Sequence, residues 1–229
     1  MAKDLGNPEG VGEKFSIEGM LSTRERTKEA VQRIGSKITV GMTGKDAIEL
    51  ANHELQVMGM DRHWHSPLIR FGKETLKGFR QPVDEAIFLE GDDIYFVDLG
   101  VIWDGLEGDA GDTFVVGKDE QKAACAHAAR DIWHSVADHW RETRATGMAL
   151  HDFAAREAKR RGWTFNHDIL GHRLSDFPHA IYKAGWLSEF ENPPTAGLWI
   201  LEIQISHPEL PYGAFYEDLL IDDSFSVEN

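Results

Sequence analysis

Four acids, Asp98, Asp109, Glu202 and Glu217, each stand in runs that are otherwise largely apolar, and His172 follows a glycine between the second and third of them. Asp98 lies in IYFVDLGVIW and Asp109 in LEGDAGDTFVV, joined by Asp104-Gly105. That dipeptide suits a two-residue hairpin turn with positive φ at both central positions. In the resulting register Asp98 faces Gly111. Asp109 is two residues from Gly111 and projects from the same face as Asp98. Two carboxylates in an apolar hairpin cannot both stay ionised without a partner, because desolvation is too costly. A divalent ion with oxygen ligands resolves the conflict. From the hairpin alone a second solution stays open, with Asp98 pointing outward and Asp109 a turn residue beside Gly108. Glu202 in LWILEIQI and Glu217 in AFYEDLLI repeat the problem, since a buried unpaired Glu is rare. His172 offers the nitrogen donor that Mn, Fe, Co or Zn accept. Four carboxylates and one imidazole can hold two such ions, with bridging acids setting the ~3.5–4 Å separation of co-catalytic pairs.

The elements that must position these groups are legible in outline. Residues 1–20 are polar and Gly-rich and read as a loose arm, with residues 21–229 as one domain. Ser22 or Thr23, with Glu25 following, begins a helix signature. Lys45 to Met58, Asp119 to about Thr143 and Gly147 to Arg161 carry apolar residues at helical spacing. A weak repeat links Gly41-Met42, Asp46 and a helix stop at Gly59 with Gly147-Met148, Asp152 and a stop at Gly162. Both copies are preceded by a helix and followed by a strand-like run. Two such halves predict a pseudo-symmetric domain with its site between them.

Composition narrows the partners. The chain has 229 residues, 41% of them apolar, which supports a sizeable core. Lys plus Arg is 24 against Asp plus Glu at 39, a formal charge of -15, which argues against nucleic acid and against anionic membrane surfaces. A single cysteine, Cys125, and the absence of a long apolar run fit a cytoplasmic protein.

Five strings in order resemble the pita-bread metallopeptidases, the family of methionine aminopeptidases, aminopeptidase P, prolidase and creatinase. They are Val97-Asp98-Leu99-Gly100, Gly108-Asp109 with Thr113-Phe114 after it, Gly171-His172, Leu201-Glu202 and Phe215-Tyr216-Glu217. The resemblance runs from roughly Ser22 to Asp222 and implies an α+β domain, with a curved antiparallel sheet flanked by two pairs of helices. It further implies that Asp98 chelates one ion, that Asp109 and Glu217 bridge both, and that His172 and Glu202 complete the other. Glu202 would also accept a proton, and His179, seven residues after His172, would steady the substrate. The other reading of His179 is a surface residue after Phe177-Pro178.

The implied activity is hydrolysis of short peptides by an aminopeptidase or Xaa-Pro peptidase. The alternatives are creatinase-like cleavage of a C–N bond in a small carboxylated amide, and a silent binding module that keeps the fold. The extra N-terminal domain of aminopeptidase P and creatinase is not seen here, so pocket walls are expected from loops or from the second subunit of a homodimer. Departures from the family pattern cluster around the substrate. Phe79 and Arg80 stand where a His is usual, and Arg173 follows the ligand His. Ala180, Ile203 and Asp112 also differ from the common residues. Arg80 and Arg173 are fixed cations suited to a substrate carboxylate, and Trp103 beside the turn is a candidate pocket wall. A surface loop after Gly78 is the other reading for Arg80. His63, Trp64 and His65 either line the cleft or belong to a surface strand. His127, His134 and His139 read as the solvated face of one helix.

Overall fold

The computed structural model describes residues 7–82, 84, 86–178 and 185–222. Its elements form two runs of the same order. The first is α1 (Ile17–Gly35), α2 (Gly44–Val57), β1 (Arg62–His63), β2 (Leu68–Phe71), β3 (Asp93–Trp103) and β4 (Leu106–Val116). The second is α3 (Glu120–Thr143), α4 (Gly147–Arg160), β5 (Thr164–Phe165), β6 (His172–Arg173), β7 (Trp199–Ser206) and β8 (Gly213–Leu219). The strands pair antiparallel in one sheet. β4 and β8 meet at its centre with β3 and β7 outside them. β1 and β2 border β3, as β5 and β6 border β7. The order therefore reads the same from either edge, which is the two-halves arrangement implied by the repeat.

Caps define the helices. Thr43 and Asp46 form a reciprocal capping box on α2, Asp119 caps α3 and Thr146 caps α4. α1 starts at Ile17 rather than near Ser22, because the Ser16 side chain accepts the Gly19 N–H. The described arm residues are tied down. The Glu9 carboxylate accepts from Thr195 N, Thr195 Oγ1 and Trp199 Nε1, each at 2.8 Å. Gly12 N donates to Asp176 Oδ1 at 2.7 Å.

Strand alternation sorts side chains between the two sheet faces. Val97, Leu99, Val101, Trp103 and Ala110 pack with Ala30, Ile34, Ala47 and Leu55 of α1 and α2. Leu201, Ile203, Ala214 and Tyr216 pack with Ile132, Trp133, Trp140 and Leu150 of α3 and α4. Burying each large apolar side chain contributes about 1.5–3 kcal/mol, so these two layers hold the helices to the sheet. Asp98, Asp109, Glu202 and Glu217 fall on the opposite face. No described helix is long and apolar enough to cross a membrane.

Candidate metal centre

The Asp104-Gly105 turn has φ values of 54° and 80°, and β3 and β4 pair in the register the turn demands. Asp98 faces Gly111 and Gly100 faces Asp109. Each acid thus stands opposite a residue without a side chain. Across the seam Gly111 pairs with Glu217, and Glu217 in turn pairs with Glu202. A Cβ at Gly111 would lie 3.0 Å from Glu217 Oε1. The glycine leaves room for that carboxylate.

Two imidazoles complete the cluster. His172 Nε2 lies 2.8 Å from Asp109 Oδ2. His65 Nε2 lies 3.4 Å from Asp98 Oδ1 and 3.7 Å from Asp109 Oδ1. Two overlapping triads result, His65–Asp98–Asp109 and Asp109–His172–Glu217, each with its donor atoms mutually within 4.8 Å. Glu202 sits beside them and accepts the Gly171 N–H through Oε2 at 2.7 Å.

The electrostatics are those of crowded buried acids. Burial pushes Asp98 up to about 7, against the pull of His65 and with a further push from Asp109. Burial and the Asp109 and Asp98 charges raise Glu217 well above the ordinary Glu range. Burial also raises Glu202, His172 opposing it. At Asp109 burial is outweighed by the nearby His172 and His65 imidazoles, which bring it down to about 2. Burial would lower both imidazoles, yet the neighbouring carboxylates lift each to about 9.

Acids on the helix face of the same strands are handled differently. Asp112 accepts from Arg130 Nε and Gln32 Nε2, both at 2.6 Å. Asp218 accepts from Arg24 Nε at 2.6 Å and Lys28 Nζ at 2.7 Å. On the site face, Asp98 Oδ1, Asp109 Oδ1 and Glu217 Oε1 are buried without a hydrogen-bond partner among the described residues. Such orphaned oxygens are costly unless something outside the chain partners them. Carboxylate oxygens with two imidazole nitrogens are the donor set of divalent first-row ions. The residues fit two of them.

The substrate-side expectations divide. The Phe79 ring stands 5.4 Å from the His65 ring, edge to face, so Phe79 borders the cluster. Arg80 is exposed, its guanidinium 6.0 Å from the Trp186 ring centroid. Arg173 does not face the cluster. It neighbours His172 on a strand and so points to the other side, fully buried, donating to Gly10 O and Ser175 Oγ. Trp103 is likewise excluded as a pocket wall. It lies five residues from Asp98, hence on the helix face, where its Nε1 donates to Thr27 Oγ1 at 3.0 Å. Asp112, also assigned to the substrate side, lies beneath α1 and α3. His179 and Ala180 lie outside the described residues. His65 is the site residue that motif spacing passed over.

Paired αα-plus-β halves meeting at a seam of acids make a pita-bread fold. The sequence pattern described as metallopeptidase family M24 matches residues 18–191, and the chain belongs to that family. Solved structures agree. The X-Pro aminopeptidase of Thermotoga maritima is 18% identical with a TM-score of 0.70, over 90% of this chain and 58% of that one. The prolidase of Pyrococcus furiosus is 19% identical with a TM-score of 0.70, over 93% and 63%. The methionine aminopeptidase of Thermotoga maritima is 19% identical with a TM-score of 0.68, over 90% and 93%. The chain therefore spans less than two thirds of the first two. No curated protein matches it.

Proposed function

We propose that the protein is a cytoplasmic hydrolase that uses two divalent ions, Mn, Co, Fe or Zn, to cut short peptides as an aminopeptidase or Xaa-Pro peptidase. The observation that supports it most is the contrast between faces. Asp112 and Asp218 have cationic side chains as partners, whereas Asp98, Asp109 and Glu217 present orphaned oxygens to one another. Asp98, Asp109, His172, Glu202 and Glu217 would hold the ions, which would supply Lewis acidity toward an amide carbonyl and toward water.

The chain's own groups do the rest. Glu202 is held by Gly171 through one oxygen, and burial raises its affinity for a proton, which suits a group that takes and returns one. Trp64 stands edge-on to both His65 and His172, at 4.6 Å and 5.4 Å, and so packs against both imidazoles. In this reading His179 steadies the substrate carbonyl, and Arg80 receives a free carboxylate, favouring short substrates over long unfolded N-termini. With Arg173 turned away, Arg80 alone carries that preference.

The test is metal analysis followed by kinetics on dipeptides, Xaa-Pro peptides, methionyl peptides of increasing length and small carboxylated amides. Turnover of dipeptides that depends on added metal, with weaker cleavage of long methionyl peptides, is expected. His179→Ala should keep the metal and lose about 10²–10³ in turnover. Turnover confined to small amides would move the assignment to creatinase-like chemistry. Absence of both bound metal and turnover would leave a silent module.

A further inference from the structure

We propose that His65 is a direct metal ligand, giving the ion held by Asp98 and Asp109 an imidazole of its own, so that each of the two ions carries one nitrogen donor. This rests on the dinuclear reading above and adds a ligand to the set implied by the family resemblance.

The argument begins with the lone pair. His65 Nδ1 lies 2.8 Å from Ser66 O, a carbonyl that can only accept, so Nδ1 carries the proton. Nε2 is left facing Asp98 Oδ1 and Asp109 Oδ1. Those two oxygens are buried and have no hydrogen-bond partner among the described residues. Nε2 and the two oxygens are three electron-rich atoms facing one another, so a cation must stand between them, a proton on Nε2 in the empty site and a metal ion in the loaded one. The separations of 3.4 Å and 3.7 Å are long for a hydrogen bond. They approach the spacing of atoms that share an ion at ~2.0–2.2 Å each.

The place is built for the ring. A Cβ at Gly100 would fall 1.9 Å from His65 Cδ2 and 2.3 Å from Nε2. Gly100 is the partner of Asp109 on β3, so the missing side chain opens the space beside that carboxylate. Trp64 N and His65 N both donate to Gly100 O, at 3.1 Å and 3.4 Å, which fixes the backbone there.

The second half of the molecule repeats the arrangement. His172 Nδ1 lies 3.4 Å from the carbonyl of its own next residue, Arg173, and its Nε2 addresses Asp109. His65 borders β3 beside Gly100, and His172 borders β7 opposite Ile200. Asp109 takes one imidazole on each carboxylate oxygen, His65 toward Oδ1 and His172 toward Oδ2. The two triads share Asp109, and each brings one imidazole to it. An added imidazole also shifts the site's preference from Mn toward Co or Zn.

The test uses the full chain loaded with Zn(II) or Co(II). X-ray absorption of the zinc form counts imidazoles without any mutation, and one per ion is expected. His65→Gln should halve that count and change the Co(II) absorption spectrum. It should also weaken one of the two ions by more than the ~10–100-fold that loss of an outer-shell partner costs. Gly100→Ala, which keeps the imidazole but takes its space, should act in the same direction. Wild-type protein with two ions and a single imidazole between them would overturn the assignment alone. So would a His65→Gln protein that keeps both ions at wild-type affinity with an unchanged spectrum. Wild-type protein that binds neither metal would overturn the dinuclear reading and this assignment together.

Discussion

Glu202 Oε2 accepts the backbone N–H of Gly171 at 2.7 Å, which couples the acid of β7 to the residue immediately before His172. Glu202→Gln keeps an oxygen for that hydrogen bond and removes the charge. With chelator present the melting temperature should stay near that of metal-free wild type, while turnover of the metal-loaded variant falls by about 10²–10⁴, the range for a lost proton acceptor. Kinetics alongside a thermal melt will show it. Turnover within a factor of two of wild type would remove Glu202 from the chemistry.

Asp109 belongs to both triads, so Asp109→Ala should empty both positions rather than one. Elemental analysis after dialysis gives the answer. A variant that retains a full ion with unchanged affinity would show that Asp109 does not bridge.

Stripping the metal should destabilise the chain, since the site-face acids would again crowd one another with only protons and imidazoles as partners. Ligand present at a hundred times its Kd adds about 2.7 kcal/mol. For a domain of this size that corresponds to roughly 5–10 °C in Tm. Calorimetry with and without chelator measures it, and identical melts would contradict metal binding in the folded state.

The helix-face acids should behave in the opposite way. Asp218 is buried between Arg24 and Lys28, so Asp218→Asn leaves two cations short of their partner. A loss of up to about 3 kcal/mol in stability is expected, with metal content unchanged. Loss of metal without loss of stability would reverse the assignment of the two faces.

Glu54 supplies a pH test away from the site. Hydrogen bonds from Lys37 and Arg33, at 2.6 Å and 2.5 Å, hold its carboxyl below the ordinary Glu value of 4.5. A depressed folded-state pKa means the stabilisation is complete above 4.5 and is lost as pH falls through the lower folded value. Glu54→Gln should therefore lower Tm at neutral pH, and the difference from wild type should close in acid. Salt should shrink it too, because Lys37 and Arg33 are partly exposed. A difference that grew on acidification would refute the pairing.

The central hairpin and its chemistry are legible in the order of residues alone. Asp104-Gly105 fixes a two-residue turn, the turn fixes register, and a period of two then puts Asp98 and Asp109 on one face. The same local logic gave the acids of β7 and β8, the four helices and the repeat. It failed where nearness in sequence stood in for the alternation of faces along a strand. Arg173 and Trp103 were assigned to the site by nearness in sequence, yet Arg173 on the two-residue strand β6 and Trp103 at the end of β3 turn to the opposite face. The place of His65 follows from long-range strand pairing instead. Nothing local marks it, since it lies just beyond a two-residue strand and 33 residues before Asp98. It reaches the acids because β1 and β2 pair with β3 and Gly100 leaves space for a ring. Such pairing between distant segments is set by the packing of the whole sheet, which no short run of residues encodes.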